Sequence, residues 1–159
     1  MRVFTLNLTD DGVTLTAYLP DYSDEMKHMA KRPTMLVLPG GAYMFCSDRE
    51  AEPVAFAYNA QGYNTFILRY SVGKEKGVFP RPLEDADLAM KTIVDNAEEW
   101  GVDTNKIAAI GFSAGGHLAA SLGVFYDKKE VLDNVISVTG TSFTSITKEA
   151  LISFDVVAV

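Results

Sequence analysis

Three observations predict an α/β fold built on a doubly wound, mostly parallel sheet. Short apolar runs suited to buried strands, at 34–38, 64–69 and 106–110, alternate with helix-like stretches at 50–61 and 82–100, as right-handed βαβ crossovers require. Two of these runs open directly into glycine-bearing loops, Pro39-Gly40-Gly41-Ala42-Tyr43 and Gly111-Phe112-Ser113-Ala114-Gly115. The chain of 159 residues, 48% hydrophobic, is also long enough for one core, so a single domain over 1–159 is expected.

The elements follow in order. Arg2 to Leu8 and Val13 to Leu19 alternate with a period of two around Asp10-Asp11-Gly12, which predicts a β-hairpin made of edge strands. Tyr22 to Arg32 is polar and without period, and reads as a loop. Thr34 to Leu38 is an apolar strand of the kind buried on both faces. Pro53 suits the first turn of a helix over Glu50 to Gln61, and Gly62 suits its left-handed end. Asn64 to Arg69 is the next strand, and Ser71 to Arg81, bearing Gly, Lys and Pro, is a solvent-facing loop. Leu83, Ala86, Ala89, Ile93 and Ala97 recur at helical spacing from Pro82 to Trp100, with Gly101 as the stop. Lys106 to Ile110 is a strand that normally lies inside a sheet, and a helix-like run to Phe125 follows it. Val135 to Thr139 could form one more strand, Gly140 to Thr147 is rich in Ser and Thr, and Leu151 to Val159 ends apolar.

Composition excludes several classes of function. With 14 Lys and Arg against 21 Asp and Glu, the net charge of -7 disfavours nucleic acid and anionic membrane. Cys46 is the single cysteine, so neither an intrachain disulfide nor a Cys cluster for metal or redox work is available. The N-terminus alternates instead of carrying a continuous apolar segment, and no apolar run approaches a membrane span. A cytoplasmic, cofactor-free and metal-free protein is the expectation.

The chemistry concentrates at Ser113. A G-x-S-x-G sequence between a strand and a helix is a nucleophile elbow, whose glycines allow a strained serine backbone. A serine hydroxyl needs a base to accept its proton and donors aimed at the oxyanion it generates. The second requirement is visible: the backbone N–H of Ala114 follows the nucleophile, and Gly41 and Ala42 lie in a glycine loop after an earlier strand. Ligands in such sheets bind beyond the carboxyl ends of the strands, where both loops fall. The first requirement is not visible. Triad members in this arrangement run Ser, then Asp or Glu, then His, and no histidine follows His117.

Pro39 to Tyr43, Arg49 to Ala55, Leu68-Arg69-Tyr70, Pro80 with Pro82-Leu83, Trp100 to Asp103 and Gly111 to Ala120 together resemble the bacterial α/β-hydrolase esterases. The likeness is to the acetyl-xylan-esterase-like or carbohydrate-esterase-like branch, and it covers about residues 15–125. It implies a carboxylic ester hydrolase acting on small or acetylated-carbohydrate esters, with Ser113 as nucleophile and an oxyanion site at Gly41, Ala42 and Ala114. Residues 126–159 read as a divergent tail without the family's acid and base loops, so the sheet is expected to be incomplete at its C-terminal side.

Other side chains have simpler readings. His117 matches a histidine of the family's elbow that is distinct from the catalytic one, and a first helical turn disfavours imidazolium; His28 is an isolated loop residue. Arg49 and Glu50 could orient the glycine loop or start the next helix, with a cap by Glu50 as the leading reading. Glu84, Asp85 and Asp87 are expected on a solvated helix face. Asp127, Asp133 and Asp155 have the chain order of a triad acid without a histidine after them. Tyr43 and Phe45 could wall an ester pocket, and Cys46 could be buried or reactive.

Two functions from different classes follow. The leading one is a serine ester hydrolase, truncated and nearly inactive as the 159 residues stand. The alternative is a non-catalytic hydrolase-like module that keeps the two loops as an anion or acyl pocket. In either case an uncovered edge of the 106–110 strand would invite a homo-oligomer.

Overall fold

The hairpin leads the chain: β1 (Arg2–Asn7) and β2 (Thr14–Leu19) pair antiparallel, with Arg2 opposite Leu19 and Asn7 opposite Thr14. Gly12 turns between them at φ 106°, a backbone that glycine adopts without a Cβ penalty. These coordinates are a computed structural model that describes residues 1–125. The expected strand at 135–139, the Ser/Thr-rich 140–147 and the apolar 151–159 lie outside the described residues.

Five strands form one sheet in the order β1-β2-β4-β3-β5, where β3 is Arg32–Leu38, β4 is Asn64–Arg69 and β5 is Val102–Gly111. β3 runs parallel to both β4 and β5, while β2 pairs antiparallel with β4. The parallel portion is therefore three strands wide, and the hairpin adds an antiparallel flank to it. Among the described residues only β1 of the hairpin is an edge strand. β2 is paired on both sides, which corrects the expectation of two edge strands and explains why Leu15, Ala17 and Leu19 are all but inaccessible. Among the described residues β5 pairs with β3 alone.

Crossovers place helices on both faces. β3 alternates strictly: Leu36 and Leu38 enter a core shared with α2 (Arg81–Asp95) and α4 (Ala114–Phe125), whereas Met35 and Val37 pack with α1 (Glu52–Asn59). Leu36, Val37 and Leu38 are fully buried, each worth about 1.5–3 kcal/mol of apolar burial. β3 to β4 crosses in one direction and β4 to β5 crosses back over β3, so the chain reverses direction at β3. That is where an open α/β sheet forms its crevice.

Two elements differ from their expected form. The loop over 22–32 contains a 3-10 helix, Asp24–Met29, capped by the Ser23 hydroxyl accepting from the Glu25 N–H. The long helix over 82–100 is broken at Asn96, leaving α2 and a single turn, α3 (Ala97–Trp100). Asn96 Nδ2 donates to the Thr92 carbonyl at 2.8 Å, and Thr92 Oγ1 donates to the Leu88 carbonyl at 2.7 Å. Side-chain donors thus take up carbonyls near the end of α2, the local competition that shortens helices. Gly101 then stops α3 in left-handed backbone at φ 63°.

α2 also contradicts the expected solvated acidic face. Asp85 and Asp87 are 5% and 3% exposed. The helix packs against both α4 and β5, so it has two covered sides where the pattern suggested one. Asp85 Oδ2 accepts the Ser71 N–H at 2.7 Å, and Arg81 Nε donates to Ser71 Oγ at 3.0 Å. This network fastens the 71–81 loop to the helix start, so Ser71 is buried although the loop was expected to face solvent. Asp87 has no such compensation: its Oδ2 has no partner among the described residues.

Candidate active site

β5 ends at Gly111 and α4 begins at Ala114, leaving two residues for the turn. Ser113 sits there in left-handed backbone at φ 50°, a conformation costing a non-glycine residue about 1–2 kcal/mol. Two hydrogen bonds hold it: Gly115 N–H donates to the Phe112 carbonyl at 2.8 Å and His117 N–H donates to the Ser113 carbonyl at 2.9 Å. The serine is exposed at the strand end rather than buried in the sheet. Gly115 must be glycine for a packing reason. A Cβ there would lie 2.7 Å from both the Leu38 carbonyl carbon and the Pro39 carbonyl oxygen, so the elbow rests directly on the end of β3.

The loop after β3 is strained in the same sense. Gly41, Ala42 and Tyr43 have φ of 135°, 54° and 59° in succession. The Gly41 carbonyl accepts from Met44 N–H at 2.8 Å, and the Gly40 carbonyl accepts from Ser47 N–H at 2.9 Å. Tyr43's carbonyl accepts from Gly73 N–H at 2.8 Å, and Pro39's carbonyl accepts from the Tyr70 hydroxyl at 2.5 Å. No described acceptor takes the N–H of Gly41, Ala42 or Ala114. The loops touch: a Cβ on Gly40 would lie 2.5 Å from the Phe112 carbonyl oxygen. Unpaired N–H groups near a helix N-terminus favour an anion.

Of its two readings Glu50 takes the glycine-loop one and not the leading one, the helix cap. Its Oε2 accepts the Gly40 N–H at 2.8 Å, whereas α1 starts two residues later with Ala51 at its N-cap and no side-chain cap. The carboxylate thus pins the root of the glycine loop. Proximity in sequence to a helix start suggested capping; only the folded loop brings Gly40 within reach. Arg69 braces the far side, donating to the Cys46 carbonyl at 2.9 Å and pairing with Asp48 at 2.6 Å. Cys46 is half-buried, and burial pushes its thiol pKa up, which favours the inert reading over the reactive one.

His117 is tied to the glycine loop. Its Nδ1 lies 2.8 Å from the Tyr43 hydroxyl, and the two rings meet edge to face. Burial raises the Tyr43 phenol pKa, so it stays protonated at neutral pH. Tyr43, Phe79, Pro82, His117, Leu118 and Ser121 help line a small cavity of about 90 Å³. Tyr43 thus lines a cavity, whereas Phe45 is 56% exposed and outside that lining. His28 is exposed on the 3-10 helix. Asp127, Asp133 and Asp155 lie outside the described residues. Among the described residues no group of three or more His, Cys, Asp or Glu is arranged to hold a metal ion, and no helix is long and apolar enough to cross a membrane.

A twisted sheet that reverses at β3, with a strained serine after β5, is the framework of the α/β-hydrolase type, and comparison with known proteins agrees. Solved structures with this fold include an alpha/beta hydrolase enzyme from a Medee basin deep-sea metagenome library, at TM-score 0.75 and 56% identity, covering 77% of this chain and 51% of that one. A carboxylesterase from Lactobacillus plantarum matches at TM-score 0.75 and 30% identity, over 84% of this chain and 50% of that one. The profile of the family described as BD-FAE matches residues 18–157, and the chain belongs to that family. Among curated relatives, the Endo-1,4-beta-xylanase B of Butyrivibrio fibrisolvens is 38% identical over 76% of this chain and 18% of its own length. The Acetylxylan esterase of Xylanibacter ruminicola is 30% identical over 75% of this chain and 23% of its own. The chain thus spans about half of these solved structures and under a quarter of these curated relatives. It is related to acetylxylan esterases and carboxylesterases of the α/β-hydrolase type.

Proposed function

We propose that these residues carry the nucleophile and anion-holding half of a serine carboxylic ester hydrolase, acting on small or acetylated-carbohydrate esters. Ser113 Oγ attacks the ester carbonyl carbon and gives its proton to a base. The carbonyl oxygen becomes an oxyanion held by the N–H groups of Gly41, Ala42 and Ala114. The alcohol leaves with a proton, and water then cleaves the acyl-serine. The observation carrying this reading is the exposed, left-handed Ser113 on a loop in contact with a second loop whose Gly41 and Ala42 N–H groups have no described acceptor. The ester-cleaving names of the relatives support the substrate class.

The base is not assigned within these residues. His28 and His117 are the chain's two histidines, and His117 has its Nδ1 engaged by Tyr43. Loss of the base in a serine hydrolase costs on the order of 10⁶ in kcat, leaving about 10³–10⁴ over water from binding and the oxyanion site. The 159-residue chain alone is therefore expected to be nearly inactive and to react slowly with a fluorophosphonate at Ser113. Mass spectrometry of the labelled chain checks this: adduct on Ser113, absent after denaturation and from Ser113→Ala, is expected. Ordinary ester turnover by the chain alone would overturn the missing-base reading, and no Ser113 adduct at any exposure would favour the non-catalytic module. The single free cysteine fits a reducing, cytoplasmic setting.

A further inference from the structure

At the sheet edge opposite Ser113 lies a cavity of about 530 Å³, entered where β3, β4 and β5 begin. Arg32, Asn64, Trp100 and Tyr22 form part of its wall, and Asp21, Glu98, Glu99 and Arg2 bring charge to it. Each carboxylate there already has a cation. Asp21 pairs with the amino group of Met1, Glu98 with Lys31 at 2.9 Å, and Glu99 with Arg2 at 3.4 Å. Arg32 is the lining cation without a carboxylate among the described residues, although it is only 7% exposed. Its guanidinium donates to two carbonyls over long distances, 3.3 Å to Gly62 and 3.5 Å to Asp21. A buried charge so weakly matched is costly, and a carboxylate is the partner that the planar guanidinium fits in two-point fashion.

A second deficit lies beside it. Asn64 is 1% exposed; its Nδ2 donates to the Trp100 and Gly101 carbonyls at 3.1 and 3.0 Å, which sets the amide's orientation and leaves Oδ1 without a donor. That oxygen is itself enclosed, so the partner the cavity wall lacks is an anion for Arg32. Three carboxylates nearby disfavour a multiply charged anion such as phosphate, but accept readily from hydroxyl groups. The volume lies within the range of small-molecule sites, and Tyr22, 58% exposed, adds an aromatic face. We infer that this cavity binds a small, singly charged hydroxylated carboxylate of the sugar-acid class, with its carboxylate on Arg32 and its hydroxyls donating to the carboxylates of the wall. The site is separate from Ser113 and does not depend on ester cleavage.

Trp100 is the chain's one tryptophan, so its fluorescence reports on this cavity directly. Titration of the 159-residue chain with glucuronate is expected to give a saturable change, with glucose and inorganic phosphate binding at least about tenfold more weakly, the discrimination that one charge-assisted pair confers. Arg32→Gln, checked for folding by circular dichroism, is expected to lose the preference for glucuronate over glucose. Because Arg32 is buried and its replacement could unfold the chain, amide NMR of the unaltered protein supplies the second reading: glucuronate should shift Gly62, Asn64 and Gly101. Equal binding of glucose and glucuronate, no saturable response, shifts centred elsewhere, or a folded Arg32→Gln that keeps the preference would each overturn the inference and leave Arg32 as a structural pin.

Discussion

Replacing Gly115 with alanine tests how the elbow is seated, and Gly116 one residue on supplies the internal control. Both glycines lie in the first turn of α4, so both substitutions gain up to about 1 kcal/mol of helix propensity. Their surroundings differ. A Cβ on Gly115 meets backbone of Leu38 and Pro39 at 2.7 Å or less, and backbone of a central strand cannot step aside as a side chain can. A Cβ on Gly116 meets the Gly111 carbonyl oxygen at 3.1 Å, which a shift of a few tenths of an ångström relieves. Overpacking of the first kind costs about 1–3 kcal/mol or more, so Gly115→Ala should lose about 2 kcal/mol net while Gly116→Ala stays near zero. At about 2–4 °C per kcal/mol for a chain of this size, thermal unfolding followed by circular dichroism should separate the variants by roughly 4–8 °C. Ser113 should also become less reactive in Gly115→Ala, because relief of the clash lifts the elbow off β3. Equal melting temperatures for the two variants would refute the proposed contact between elbow and strand end.

Two further outcomes follow from the half-buried carboxylate of Glu50 and the buried one of Asp87. Glu50→Ala removes the acceptor of the Gly40 N–H, so amide exchange at Gly40 should accelerate and stability fall by about 1–3 kcal/mol, whereas Glu50→Gln, which keeps a carbonyl acceptor, should restore most of both; unchanged exchange at Gly40 in the alanine variant would remove Glu50 from the loop's support. Burial pushes the Asp87 carboxyl up to about 7, against the opposing pull of Lys91. Its folded pKa being raised, the group's stabilising contribution is complete below about pH 4, the ordinary Asp value, and is lost as pH rises through about 7. At about 1.36 kcal/mol per unit the swing is a few kcal/mol at most. Asp87→Asn should therefore flatten the fall in melting temperature between pH 4 and 8; parallel curves for the two proteins would show that Asp87 does not titrate in that window.

Much of the candidate site is legible from the residues because its chemistry is written in backbone. Glycine at 41, 111 and 115 and serine at 113 constrain φ and close approach locally, and the structure finds those strains where the pattern predicts them, including φ 50° at Ser113. The strand at Asn64–Arg69 and the turn at Gly12 are likewise local matters of period and left-handed backbone. The side chains that brace the site are another matter. Glu50 reaches Gly40 across ten residues, and Tyr43 reaches His117 across 74. No spacing rule joins such pairs.

The amino-acid sequence by itself determined the alternation of strand and helix, the elbow and the glycine loop, because propensity, period and allowed φ act within a few residues of one another. Only the tertiary structure decided that β2 is interior, that Asp85 and Asp87 are buried, and that Arg32 lines a cavity with no carboxylate paired to it among the described residues. These are questions of what covers a surface. A helix period reveals one apolar stripe, but the second covered side of α2 exists only once α4 lies against it, and burial is what turns an ordinary acidic residue into one with a raised pKa.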